Sequence, residues 1–462
     1  MFRKLLLISI LNLILFSCVY FSLQHNSVYS HTLGKISDNY ERFGDWRNPD
    51  IRPVKKPFVT ISDNNFENWD AAIYKCIKRT MYADTGCDYE VKGTFFPLFP
   101  LVWKVTTLNN IGISILNYFI FSISIALLII HFLKTDDRNK LLIYSLFIAL
   151  PSVVVYFIPY TEALFLLCAA FTFIGIAKNK YYLYFISAVL LAMVRPATVF
   201  VLLAFLAVEG INLVENKNIK TFLKNIALRS APFVLGYFLA IFIQFLFTSS
   251  WTTFLDAGVY WNGETFNAIE TISDWSKEGF GLSSFAIFFV CVPAFAYLLY
   301  SLINQEIRKN TYLQDMVENH HNYVFMASLF YLVGLLLFTL LTSGGNFHSF
   351  SRFVLNSPSF YIAIILFLNY LPSLHKNAIL LLCIAPLVLL VIFFLSIDYG
   401  GNKLTFNYAG LYLYILIFLF LLFRNKFSLN AQIAFVAILI LCSTVWSTYL
   451  LNMFFNEAWV FT

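Results

Sequence analysis

The chain has 462 residues, of which 60% are hydrophobic, 19% aromatic and only 12% charged, with a mean hydropathy of +0.74. Ordinary soluble globular domains do not have this composition, so the chain reads as an all-α polytopic membrane protein. The formal net charge of +6 comes from Lys and Arg gathered between apolar runs. That is topology rather than nucleic-acid binding, since no basic stripe with interleaved aromatics accompanies it.

Met1-Phe2-Arg3-Lys4 ahead of the apolar run Leu5 to Leu23 predicts a first transmembrane helix over 1–23 with its basic end in the cytoplasm. Cleavage as a signal peptide, or as a lipoprotein at Leu15-Phe16-Ser17-Cys18, competes with this reading; the apolar run continuing beyond Cys18 argues against it. Residues 24–110 then form an external loop. Its placement rests on the first helix, because a loop this long escapes the positive-inside rule.

Within that loop, Phe66 to Met81 read at 100° per residue puts Phe66, Asp70, Ile73, Tyr74, Ile77 and Met81 on one face, with Asn68, Lys75 and Arg79 opposite. An amphipathic helix with Asp70 in the middle of its apolar stripe is predicted. A carboxylate there loses water on packing and needs a partner or a task. Pairing with a nearby Lys or Arg, or starting a helix, competes with a catalytic role. Cys76 and Cys87 flank the end of this helix, and without a C-x-x-C or His partner a disulfide suits them better than zinc if the loop lies outside. The other five cysteines lie in apolar runs as small core residues. Phe95-Phe96-Pro97-Leu98-Phe99-Pro100 looks too proline-broken for a regular helix start and predicts a kinked interfacial segment.

A core transmembrane region covers 111–248, an external loop 249–283 and a C-terminal transmembrane region 284–462. Spans are predicted at 111–133, 141–158, 162–177, 231–248, 284–303, 321–342, 353–370, 378–396, 408–423 and 431–453, which with the first helix makes about eleven. Basic loops at Lys134 to Lys140, Lys178 to Lys180, Lys217 to Arg229, Arg308-Lys309, Lys376 and Arg424 to Lys426 mark the cytoplasmic side. If Lys178 and Lys217 both lie inside, residues 183–208 must enter the membrane and return. Leu183 to Val194 and Ala197 to Val208 are each too short to cross, so a re-entrant pair of helices meeting at Arg195-Pro196 is predicted. One long kinked helix is the competing reading, and it would put the later basic loops outside.

Ionisable residues predicted near the outer face are Asp70, Glu162, Arg195, His348 and Arg352. Acids and bases on one side suit a transferase with a lipid-phosphate donor: a carboxylate takes the acceptor hydroxyl's proton and cations hold the phosphate leaving group. Asp70 is the candidate base, Arg195 and Arg352 the candidate phosphate ligands, and Trp69, Tyr74, Glu162 and His348 the candidate substrate contacts. No metal or other cofactor is implied.

Trp69-Asp70 with Tyr74, then Phe95 to Pro100, Pro159-Tyr160-Thr161-Glu162-Ala163-Leu164-Phe165 and Arg195-Pro196 resemble the PIG-V family. Its members are the mannosyltransferases of the second-mannose step in GPI-anchor synthesis, with prokaryotic relatives, within the GT-C membrane glycosyltransferases. Ser351-Arg352-Phe353 resembles the family's Arg-aromatic stretch less closely, and KCIKRTMYADTGCDYE after Tyr74 departs from the family's Gly-Tyr-containing segment. The resemblance implies a GT-C-like bundle and inverting transfer of mannose from a polyprenyl-phosphate donor to a lipid or glycan acceptor. It implies no nucleic-acid partner. The chain has no Asn-x-Ser/Thr sequon, which fits a bacterial plasma membrane with the site facing outside. A flippase for a lipid-linked sugar, or an envelope-glycan polymerase or ligase, is the alternative; transporters place charge near the midplane in paired halves, whereas the acid here follows the first helix.

Overall fold

The computed structural model describes residues 1–25, 58–83, 87, 90–258, 281–308, 320–342, 349–396, 409–457 and 460. Among them all regular structure is helical. Eight of the described helices are long and apolar enough to cross a membrane: residues 2–25, 110–132, 196–214, 219–248, 282–303, 320–341, 409–426 and 429–455. This is a multi-pass membrane protein.

The sequence expectation of more spans meets shorter and broken helices. Glu162–Ala177, Tyr181–Val194, Pro358–Tyr370 and Lys376–Ile392 are apolar but shorter. The span predicted at 141–158 is two pieces, Asp137–Phe147 and a 3-10 stretch Pro151–Phe157, bent by 73°. Pro151 opens the second piece, where its missing N–H and fixed φ suit a start and not a continuation. The span predicted at 353–370 is likewise divided into Phe350–Leu355 and Pro358–Tyr370, and Ser357 Oγ accepts from Phe360 N at 3.1 Å to cap the second. The basic stretch 217–229, expected as a loop, is largely helical instead. It opens the 30-residue helix Ile219–Thr248, about 45 Å long and so longer than a bilayer core, which leaves exposed Lys220 and Lys224 beyond it.

Helices are labelled here in chain order: α1 Phe2–His25, α2 Asp70–Thr80, α3 Leu98–Thr106, α4 Asn110–Phe132, α5 Asp137–Phe147, α6 Glu162–Ala177, α7 Tyr181–Val194, α8 Val199–Asn216 and α9 Ile219–Thr248. Close packing of α6, α7 and α9 depends on two glycines. A Cβ on Gly175 would lie 2.6 Å from Tyr184 N, and one on Gly236 2.4 Å from Val189 O. Small residues let helix backbones approach where no hydrophobic force drives them together. Gly236→Ala is therefore expected to destabilise by about 1–3 kcal/mol. Gly210, with open space around its Cβ position, is the control. A thermal midpoint in detergent that falls for Gly236→Ala and holds for Gly210→Ala checks this.

The segment leading to α2 is pinned to the end of the bundle where α1 finishes. Tyr20 Oη donates to Val59 O at 2.9 Å, and Val59 N to Asn452 Oδ1 at 3.0 Å. Asn68 Nδ2 donates to Phe454 O at 2.7 Å, and Asn110 Nδ2 to Glu67 Oε1 at 2.8 Å. Buried polar groups are thereby satisfied while α2 is held across the mouth of the bundle.

Candidate active site

Asp70 starts its helix instead of standing mid-helix. Trp69 takes φ 56° and ψ −131°, which stops a helix from running through from Phe66; Asp63–Phe66 is a separate 3-10 turn. Periodicity alone does not register that break. A non-glycine residue in this region costs on the order of 1–3 kcal/mol and marks a position held by its surroundings. As the first helical residue, Asp70 sits favourably against the positive end of the helix dipole. The predicted stripe otherwise holds, with Phe66, Ile73, Tyr74, Ile77 and Met81 buried.

The proline-rich run also differs from expectation. α3 begins regularly at Leu98 after Pro97, with Pro100 in its first turn, where no intrahelical donor is needed. Phe95 and Phe99 pack edge-on against the Tyr74 ring, centroids 4.9 and 5.2 Å away, and Tyr74 Oη donates to Thr161 Oγ1 at 3.3 Å. The most specific sequence motif thus braces the face of α2 that follows Asp70, and ties it to the residue before Glu162.

Glu162 opens α6 as predicted. Arg195 occupies the break between α7 and the turn Pro196–Thr198, in extended backbone. Arg352 lies on the short helix Phe350–Leu355, which follows Ser349 at φ 61°. These three and Asp70 come together. Arg352 Nη1 donates to Asp70 Oδ2 at 2.9 Å, and Arg352 Nε donates to Glu162 Oε1 at 2.6 Å. Arg195 Nη1 reaches the same Glu162 oxygen at 3.3 Å. The result is an alternating chain of two carboxylates and two guanidiniums.

Its exposure is graded. Glu162 and Arg352 are 2% and 4% exposed, whereas Asp70 and Arg195 at the two ends are 18% and 15% exposed. Burial works against the Arg352 charge, and the two carboxylates of Glu162 and Asp70 in contact with it offset that cost. Glu162 Oε2 is buried and has no hydrogen-bond partner among the described residues. Desolvating four charges gives little net stability by itself. Strongly coupled charges with partly open ends are more often found where a ligand must be met.

Aromatic residues not singled out from sequence complete the site. The Arg352 guanidinium lies over the Tyr160 ring at 4.4 Å, and Arg195 faces Phe165 at 5.5 Å and Phe353 at 5.3 Å. Tyr160 and Phe165 lie in the Pro159 to Phe165 stretch and Phe353 in Ser351-Arg352-Phe353, both part of the family resemblance, but neither stretch gave these rings a role of their own. Trp69 is half-buried and contributes the backbone turn that sets Asp70. His348 lies outside the described residues. Among the described residues no group of three or more His, Cys, Asp or Glu side chains could hold a metal ion.

Cys76 and Cys87 are bridged, with Cα atoms 5.7 Å apart across a sequence separation of 11. The bridge closes the chain just beyond the catalytic-helix candidate. Breaking it with Cys76→Ser is expected to cost about 2–3 kcal/mol through the freer unfolded chain. Non-reducing peptide mapping checks the bond itself: linked peptides are expected, and two alkylatable thiols would contradict it.

No protein-family model matches the chain, and no curated protein matches it either.

Proposed function

We propose that this protein is an inverting membrane glycosyltransferase of GT-C type that moves mannose from a polyprenyl-phosphate donor to a hydroxyl of a lipid or glycan acceptor. The observation that carries the reading is the chain Asp70–Arg352–Glu162–Arg195, joined at 2.9, 2.6 and 3.3 Å. It unites, at one end of a membrane bundle, a base and two phosphate-binding forks from four separate parts of the sequence. Those parts are also the ones that resemble the PIG-V mannosyltransferases. On this reading the short apolar helices cross the bilayer together with the eight longer ones. Arg195 stands at the break between α7 and α8, paired with Glu162, and the site faces the outside of a bacterial plasma membrane.

The chemistry follows from the groups present. Asp70 accepts the acceptor hydroxyl's proton as that oxygen attacks the anomeric carbon from the face opposite the phosphate. The carbon–oxygen bond to phosphate breaks, and polyprenyl phosphate leaves carrying the electron pair, held by Arg195 and Arg352. Glu162 keeps both guanidiniums in place. Donor phosphate would compete with Asp70 for the Arg352 fork and so leave Asp70 free to take a proton when donor is bound.

Arg195→Lys keeps the charge and loses the planar fork. It is expected to raise the apparent KM for the donor about tenfold with a smaller effect on kcat, equivalent to roughly 1.4 kcal/mol of binding. Unchanged donor affinity would remove phosphate from Arg195 and leave a structural ion pair.

The flippase reading has one observation in its favour, a second charge pair, between α8 and α9: Arg229 Nε lies 3.7 Å from Glu209 Oε1. The two readings part on product. Transfer makes a new glycosidic bond, and flipping makes none.

A further inference from the structure

A second buried guanidinium is treated quite differently from Arg352. The other charged side chains buried among the described residues, Glu162, Glu209 and Arg352, all have ion-pair partners. Arg424 is 6% exposed and has none among the described residues. One of its N–H groups donates to Leu421 O at 3.3 Å, and its buried Nε has no acceptor among them. A guanidinium carries five donors, and a buried one without an anion is among the most costly arrangements a protein can hold.

Its place in the fold says which anion would serve. Arg424 opens the turn Arg424–Lys426 between the apolar helices Ala409–Phe423 and Leu429–Phe455, both of which belong to membrane-length spans. The turn therefore sits at the level where lipid headgroups meet water. Gln432 Nε2 holds it rigid by donating to Arg424 O at 3.0 Å and Phe427 O at 3.1 Å. Lys426 in the same turn is exposed. Beside it Phe420, Phe427 and Phe435 stack with centroids 5.2 to 6.5 Å apart, and Phe427 and Phe435 are 48% and 37% exposed. A buried fork, an exposed ammonium and an aromatic wall match a phosphate attached to an acyl chain.

We propose that Arg424 and Lys426 form a binding site for the phosphate of an anionic phospholipid. The site is independent of the glycosyltransferase reading. Capping of the preceding helix end explains the bond to Leu421 O and leaves Nε unexplained.

The test uses purified, delipidated full-length protein titrated with phosphatidylglycerol, phosphatidylcholine or inorganic phosphate, with bound ligand counted by native mass spectrometry. Phosphatidylglycerol is expected to bind the wild type about tenfold more tightly than Arg424→Gln, with a smaller loss for the exposed Lys426→Gln. Failure of inorganic phosphate to compete identifies the lipid headgroup as the source; competition with the same Arg424 dependence identifies free phosphate at the same site. If Arg424→Gln does not fold, Arg424→Lys and the wild type decide. Equal wild-type affinity for phosphatidylglycerol and phosphatidylcholine, or equal phosphatidylglycerol affinity in wild type and variants, overturns the proposal.

Discussion

Asp70→Asn is expected to lower the transfer rate by about 100- to 10,000-fold, the range a positioned general base supplies. The amide keeps the shape and still offers an oxygen to Arg352 Nη1, which donates to Asp70 Oδ2 at 2.9 Å in the parent. It cannot take a proton at neutral pH. Folding and membrane insertion should survive, because Asp70 is the first residue of its helix and asparagine is tolerated at helix starts. The loss should fall on kcat with donor binding largely retained. A purified Asp70→Asn protein that kept most of its turnover would remove Asp70 from the role of base.

Arg352→Leu is expected to be the most destabilising single change. It leaves the Glu162 carboxylate, 2% exposed, without its shortest partner, and strips Asp70 of its ion pair. Removing one member of a buried pair typically costs about 3–5 kcal/mol, much of it from the stranded charge. The double variant Arg352→Leu/Glu162→Gln is expected to recover part of that loss, since the coupled residues should not be additive. Denaturation midpoints of the two single variants and the double variant measure the coupling. Additive costs, or a cost for Arg352→Leu below about 1 kcal/mol, would show that the charges do not act as a unit.

How far the site was legible from sequence depends on the kind of constraint. Arg195 could be placed because proline cannot continue a helix, so Arg195-Pro196 writes the break between α7 and α8 directly. The Cys76–Cys87 bridge could be anticipated because only those two cysteines lie outside apolar runs. Hydrophobic periodicity places Asp70 inside a helix over Phe66 to Met81 whereas the helix starts at Asp70, because the positive φ of Trp69 leaves no mark on periodicity. The bend before Pro151 and the division after Leu355 escape the sequence for a related reason: apolar runs read as continuous when a proline or a serine cap divides them. Glu162 is a candidate from sequence alone, but its service to two arginines 33 and 190 residues away in sequence is visible only in three dimensions.

The central claim is that sugar leaves a lipid phosphate and becomes bonded to an acceptor at the Asp70 end of the bundle. Membranes containing the full-length protein, incubated with labelled polyprenyl-phosphate-mannose and endogenous acceptors, test it most directly. The account predicts a new labelled glycoside with inverted anomeric configuration, accumulating with the wild type and not with Asp70→Asn. Consumption of donor without any new glycosidic bond, or label that crosses the bilayer still attached to its original lipid phosphate, would contradict it.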